Sequence, residues 1–555
     1  MPLIDRCREL AFRLMRQRGV GGYCCVVASI LLTAFALRLL GLEKGLWLDE
    51  YAVQWALSRT GLVRALLYIR AINLLPLYYL LLKLWSGLGA GEAFLRLPSV
   101  FLGLATVAVA MRWMRPISRL ASALAGLCFA ALPILLRYAQ EIQCYGLLVL
   151  AATCAFFFAS RLVAEPRARS GYLGLALSLT VAAGTHLVGV TLIAAVVAYV
   201  ALAATDRTAI DLRRGAAAVG APVAAFLFLL VFYSVGLDER TANWWMPPVS
   251  LALVRSTAAY MLGMAPTPWA LQALQRVWPA GSAWLEYLVA VPLLIGVAAP
   301  LALGQWRRGF PLLAAALVYG LQVVAYSLVR TPIFWYRTLL PGLVPLLAFV
   351  VTQAATIRWR WARRVVAMGL AALSLLAAAG WVARDAGRPV EAWRDVAHLL
   401  ASRWRTGGVV LFYPDYARGA TRHYFPALPD AAVVAVPIGS SDARTAAEVV
   451  SAVGRMGTGP APAAVFLVVR VDLSVQADRP TWREMLAQLH SSLDRPAAIE
   501  VLLITCSDGI IQPGLAATRY ELLQDLQVVF GPPTLFQDQG SFAWLMFALP
   551  EGEER

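Results

Sequence analysis

Apolar residues along this chain fall in long runs rather than in the alternating patterns of a soluble domain. Such runs lie near 21–42, 97–111, 120–136, 144–162, 171–185, 187–204, 215–236, 284–304, 310–329, 339–357 and 365–383. A helix needs about 20 apolar residues to cross a bilayer, so the pattern predicts about eleven transmembrane helices. A further apolar stretch, 74–89, is ambiguous by hydropathy alone. After residue 384 the pattern changes to short β-branched runs: Val409–Phe412, Val433–Val436, Val465–Val469 and Ile499–Ile504. Helical patterns at 391–404, 444–455 and 481–493 alternate with them. Strand–helix alternation predicts a soluble C-terminal α/β domain with a mostly parallel sheet, closed by a hairpin around 526–548. The expected organisation is a membrane domain, 1–384, followed by an α/β domain, 385–555.

Composition strengthens the membrane reading. Hydrophobic residues make up 60% of the chain and charged residues 14%, too little charge to cover a soluble surface. The net charge of +16 is carried almost entirely by arginine, with lysine only at Lys44 and Lys83. These arginines sit between apolar runs, where the positive-inside rule places them, and so argue against nucleic-acid binding. The N-terminal tail carries Arg6, Arg8, Arg13, Arg16 and Arg18 and is read as the cytoplasmic flank of an uncleaved signal anchor. Arg112, Arg115 and Arg119 form the next basic cluster. An odd number of crossings must separate it from helix one, so 74–89 is read as a non-spanning helix at the outer leaflet. The later clusters, at 161–169, 207–214, 307–308 and 358–364, then all fall inside. The outside segments are 43–96, 137–143, the turn at His186, 237–283, 330–338 and everything after about 384.

Seven cysteines and four histidines show no metal-ligand or disulfide spacing. The C-terminal domain has neither a Gly-rich phosphate loop nor a nucleophile elbow. It is read as shaping acceptor access, holding a partner or serving a structural role.

Candidate chemistry gathers on the outer face. Asp49 and Glu50 follow helix one, as interfacial charge or as a general base at the mouth of a lipid-facing cavity. Arg137 and Glu141 lie where the third span ends and the fourth opens, Tyr145 one turn later, His186 at the next outside turn, and Arg337 before helix ten. Arginines matched with carboxylates suit an anionic lipid phosphate held beside a neutral acceptor that must lose a proton.

The order Trp47-Leu48-Asp49-Glu50, Asn73-Leu74-Leu75-Pro76-Leu77-Tyr78-Tyr79, Arg96-Leu97-Pro98-Ser99, Arg137-Tyr138-Ala139-Gln140-Glu141 and Arg337-Thr338-Leu339-Leu340-Pro341 resembles bacterial members of the protein O-mannosyltransferase and aminoarabinose transferase superfamily. The resemblance covers roughly residues 20–380 and implies a C-type glycosyltransferase fold using polyprenyl-phosphate sugars. It implies a catalytic base at Asp49, with Glu50 second, a further acidic site residue at Glu141, and a phosphate contact at Arg337, with Arg137 beside it. In one departure, Leu74-Leu75-Pro76 stands where the family pattern has a His or Lys followed by two prolines; Asn73 is the residue placed to substitute.

The expected activity is inverting sugar transfer from a polyprenyl-phosphate donor to a glycan, lipid or protein acceptor. It would occur on the periplasmic face of a bacterial inner membrane, with the N-terminus cytoplasmic and the C-terminal domain periplasmic. No cofactor is required by this logic, and a divalent cation on the phosphate stays open. The competing readings are a lipid or polysaccharide transporter with a carboxylate proton relay, and a non-catalytic membrane scaffold.

Overall fold

The computed structural model describes residues 22–58, 61–71, 74–204, 210–234, 246–261, 306–384, 386–387, 389–404, 408–415, 417–435, 464–471, 479–491, 498–505, 512–538 and 542–548. These form two compact units. One comprises Met1–Leu42 with Ala56–Ala386, the other Glu43–Trp55 with Gly387–Arg555.

The first unit is helical. Its described elements are α1 (Gly22–Leu39), the later part of α2 (Leu48–Ser58), α3 (Leu62–Ala71), α4 (Pro76–Ser86), α5 (Glu92–Met114), α6 (Arg119–Ala131), α7 (Pro133–Tyr138), α8 (Tyr145–Ala164), α9 (Arg169–Thr185), α10 (Leu192–Ala203), α11 (Leu212–Ser234), α12 (Leu251–Met261), α13 (Trp306–Val329), α14 (Tyr336–Thr356) and α15 (Arg360–Arg384). Among the described residues, seven helices are long and apolar enough to cross a membrane: α1, α5, α8, α11, α13, α14 and α15. The expected spans 120–136, 171–185 and 187–204 fall on shorter helices, and 284–304 lies outside the described residues.

Two clamps set the course of the first helices. At the start of α1, the guanidinium groups of Arg115 and Arg119 lie 4.7 and 5.7 Å from the Tyr23 ring centre, and the Tyr23 hydroxyl is 2.7 Å from Ser122 Oγ. Beyond its other end, Arg96 Nη1 donates to the Leu42 carbonyl at 2.6 Å. Helices α1 and α5 therefore run antiparallel with neighbouring ends, and the chain between them starts and finishes on one side. Helix α4, at 11 residues, is about 16 Å long, half of a hydrocarbon core about 30 Å thick. The C-terminal turn of α1 is capped from elsewhere. Gln140 Nε2 donates to the carbonyls of Leu37, Arg38 and Leu40 at 3.2, 3.1 and 2.6 Å. Arg38 donates to the last carbonyls of α6, those of Phe129 and Ala130, at 2.9 and 3.1 Å. Each helix end thus gives its orphan carbonyls to a side chain. Gly103 makes room for this arrangement, because a Cβ there would lie 2.8 Å from Arg38 Nε and 2.7 Å from Ala139 Cβ.

Among the described residues, the second unit is a six-stranded sheet covered on both faces. Its strands are β1 (Val409–Tyr413), β2 (Val433–Ala435), β3 (Ala464–Val471), β4 (Ala498–Thr505), β5 (Leu535–Asp538) and β6 (Phe542–Ala548), in the order β2-β1-β3-β4-β6-β5. β1 to β4 pair in parallel and β6 and β5 antiparallel. Its helices are α16 (Trp393–Arg403), α17 (Ala417–Tyr424), α18 (Arg479–Ser491) and α19 (Gln512–Phe530). Alternate strand residues face opposite layers. Val410, Phe412, Phe466, Val468, Leu502 and Ile504 pack with Trp393, Val396 and Leu400 of α16. Leu411, Leu467, Val501 and Leu503 pack with Trp482 and Leu486 of α18 and Leu526 of α19. The hairpin is shorter than the expected 526–548. Leu526–Phe530 stay helical until Gly531, whose φ of 77° ends α19 before Pro532 and Pro533, and the strands begin at Leu535. The helical pattern at 444–455 lies outside the described residues.

Candidate functional site

In the helical unit, the expected cationic residues come together at helix ends. The short helix α7 starts on Pro133, whose fixed φ suits a first helical position. It delivers Arg137 and Tyr138, a turn follows, and α8 opens on Tyr145. Arg137 is buried. Its Nε donates to Glu141 Oε1 at 2.8 Å, its Nη1 donates to the Tyr260 hydroxyl, and its guanidinium lies 5.8 Å from the ring centres of both Tyr138 and Tyr336. Glu141 is fully buried, and its backbone carbonyl accepts from Ser99 Oγ at 2.7 Å.

Arg337 stands in the first turn of α14, at the positive end of the helix dipole. The hydroxyl of Thr338 fixes that turn by accepting from the Trp335 amide at 3.2 Å. The Arg337 guanidinium lies 6.0 Å from the ring centres of both Tyr145 and Tyr336. The Tyr138 and Tyr145 ring centres lie 4.7 Å apart and those of Tyr260 and Tyr336 4.8 Å apart, both pairs tilted, and the His186 ring is 5.6 Å from Tyr145. Two arginines, one carboxylate, four tyrosines and a histidine thus share one cluster. His186, in the turn after α9, accepts from the Val188 amide at Nδ1 at 3.2 Å, so its neutral form carries the proton on Nε2. Loss of water around the half-buried ring, and then the Arg337 charge, push its pKa down to about 4. It is a neutral donor at physiological pH.

In the second unit, Asp49 and Glu50 occupy the first turn of α2, where negative charge is favoured. Glu50 is fully buried and Asp49 half-buried. The segment carrying them is anchored on both sides of the pair. Trp47 joins one apolar layer of the α/β domain, while Leu48 and Tyr51 pack against the other. The Leu48 amide donates to Glu391 Oε2 at 3.0 Å. Glu391 is itself fully buried, and it accepts from Trp393 Nε1 at 2.6 Å and from Arg470 at 2.7–2.8 Å. The Leu46 amide donates to the Tyr424 hydroxyl at 2.7 Å, and Arg394 Nη1 to the Glu43 carbonyl at 2.8 Å. Gly419 leaves space for the Tyr51 ring, since a Cβ there would come within 2.8 Å of it.

The whole chain is similar to solved structures of ArnT from Cupriavidus metallidurans. The apo form matches at 14% identity and a TM-score of 0.47, over 97% of this chain and 100% of that one. The form bound to undecaprenyl phosphate matches at 14% identity and a TM-score of 0.48, over 95% and 98%. No family model matches the chain, and no curated protein does.

Of the residues singled out by sequence, the structure gathers Arg137, Glu141, Tyr145, His186 and Arg337 in one cluster, and sets Asp49 and Glu50 together on the anchored segment of the second unit. Asn73 lies outside the described residues. Among the described residues, no group of three or more His, Cys, Asp and Glu could hold a metal ion. Sequence reasoning missed Tyr260, Tyr336 as a cluster member, and Glu391. Tyr336 directly precedes Arg337 in an aromatic run, Phe334-Trp335-Tyr336, so a signal was present; Tyr260 and Glu391 carried none, because their partners are remote in sequence.

Proposed function

We propose that this chain is an inverting glycosyltransferase of the C-type fold, moving a sugar from a polyprenyl-phosphate donor to an acceptor hydroxyl at the periplasmic face of an inner membrane. The observation that carries the reading is the cluster around Arg137 and Arg337. Two guanidinium groups in a frame of tyrosines, one of them at a helix N-terminus, form a surrounding for a phosphate.

In the proposed reaction the acceptor oxygen bonds to the anomeric carbon as that carbon's bond to the phosphate oxygen breaks. The electron pair leaves with the polyprenyl phosphate, whose added negative charge is met by Arg337 and Arg137. The acceptor proton passes to Asp49, which keeps some exposure where Glu50 has none. A single displacement inverts the anomeric centre. Glu141, held by Arg137 at 2.8 Å, serves in this scheme to aim the guanidinium. His186 supplies a neutral N–H to the donor or acceptor, with Tyr145 against its ring.

Membranes containing the full chain test this, by release of polyprenyl phosphate from polyprenyl-phosphate mannose and polyprenyl-phosphate aminoarabinose. Wild type is expected to release the lipid with at least one of these donors, and D49N to lose that release while inserting normally. Equal release by wild type and D49N would remove Asp49 as the base and bring the transporter and scaffold readings forward.

A further inference from the structure

The α/β domain contains two arrangements of the same three residue types. In one, Glu500 of β4 accepts from Arg403 at 2.6–2.8 Å and from Trp544 Nε1 at 3.0 Å. In the other, Glu391 accepts from Arg470 of β3 and from Trp393 Nε1. The second differs in one respect: Glu391 Oε2 also takes the amide of Leu48, the residue directly before Asp49. A buried carboxylate with a charged donor on one oxygen and two neutral donors on the other has little freedom to move. Its hold on the first amide of α2 therefore fixes where that helix begins. Leu46, Trp47 and Tyr51 are fastened to the same domain on either side.

We propose that Glu391, backed by Arg470 and Trp393, is a positioning residue for the acidic pair, and that the α/β domain thereby forms part of the catalytic machinery. This rests on the reading of Asp49 as the base. Glu391 acts through the Leu48 amide and touches neither donor nor acceptor. Its removal shifts the start of α2 and with it the Asp49 carboxylate. A displacement of about 1 Å in a reacting group can cost about 100-fold in rate.

The test uses the full-length protein in membranes or detergent, assayed by polyprenyl phosphate release from the donor that wild type turns over. E391Q places an amide NH2 against one of its donors, and E500Q makes the same change in the other trio. The expected result is a kcat lower by about 10- to 100-fold for E391Q with KM for the donor unchanged, and a kcat within twofold of wild type for E500Q. Equal kcat values for E391Q and E500Q would overturn the proposal. Should E391Q fail to accumulate, W393F and W544F decide. Each keeps an aromatic ring in the core and deletes only the indole donor. W393F is expected to lower kcat severalfold and W544F to leave it unchanged; identical kcat values would again overturn the proposal. D49N separates the two levels. If D49N is as active as wild type, the reading of the base fails. If D49N is inactive while E391Q turns over normally, only the positioning role fails.

Discussion

The cationic cluster and the acidic segment are built by different means. The cluster draws one or two residues each from α7, the turn after it, α8, α12, α14 and the turn after α9, and holds its two arginines against aromatic faces, with one ion pair and one tyrosine hydroxyl beside Arg137. The acidic pair rides on one continuous stretch, Glu43–Trp55, fastened largely through backbone groups at Glu43, Leu46 and Leu48. A distributed cluster spreads the effect of any one substitution. A single fastened segment moves as a whole, so a change at its anchor reaches everything it carries.

That contrast sets the order of expected effects. D49N removes the proposed base and is expected to lower turnover by about 10²–10⁴-fold with normal insertion, measured as lipid phosphate release. R337M comes next, with a loss of about 10²–10³-fold, because it deletes charge that the proposed reaction sets against its leaving phosphate. R337K should recover part of this loss, and full recovery would show that only the charge matters. E141Q keeps the shape and an acceptor oxygen beside Arg137 but removes the charge. About a tenfold fall is expected, smaller than for R337M because the tyrosine contacts to Arg137 remain; a fall as large as that of D49N would show that Glu141 itself handles the proton. The smallest effect concerns pH. His186 has a folded pKa of about 4, below its ordinary value near 6.5, so its native site favours the neutral ring. The unfolded chain binds this proton more readily. The contribution to stability is therefore complete above about pH 6.5 and is lost as pH falls towards 4. H186N should flatten the dependence of melting temperature on pH across that window and leave the activity profile between pH 6 and 8 unchanged.

Much of the membrane unit was legible because hydropathy and basic clusters report directly on the lipid environment. Arg115 and Arg119 mark the end of α5 in sequence, and in the structure they stack on Tyr23 at the start of α1. The parallel strands were legible because buried strands read as β-branched runs. Helices α2 and α3 were not. They lie in a stretch broken by charge, with no long apolar run, and tertiary contacts rather than periodicity give them their place. The arginines and Glu141 could be picked out because motif and the face expected from the charge pattern coincide. Glu391 could not, since it looks like any first-turn acid near α16, and its partners Leu48 and Arg470 lie 343 and 79 residues away. Arg96 and Gln140 stood in segments that carry the family resemblance; in the structure they hold the carbonyls at the C-terminal end of α1.

The fastening of Glu43–Trp55 also bears on how the protein is made. A ribosome delivers this segment early and delivers Glu391, Trp393 and Arg470 only after the last membrane helix, α15, has been synthesised. Membrane insertion of the first helices therefore precedes the fixing of the acidic pair by more than three hundred residues of translation. A chain arrested before residue 391 would hold its arginine cluster yet lack the anchor for its carboxylates. On the proposed reading, synthesis order leaves the acidic pair unplaced until the final domain is made.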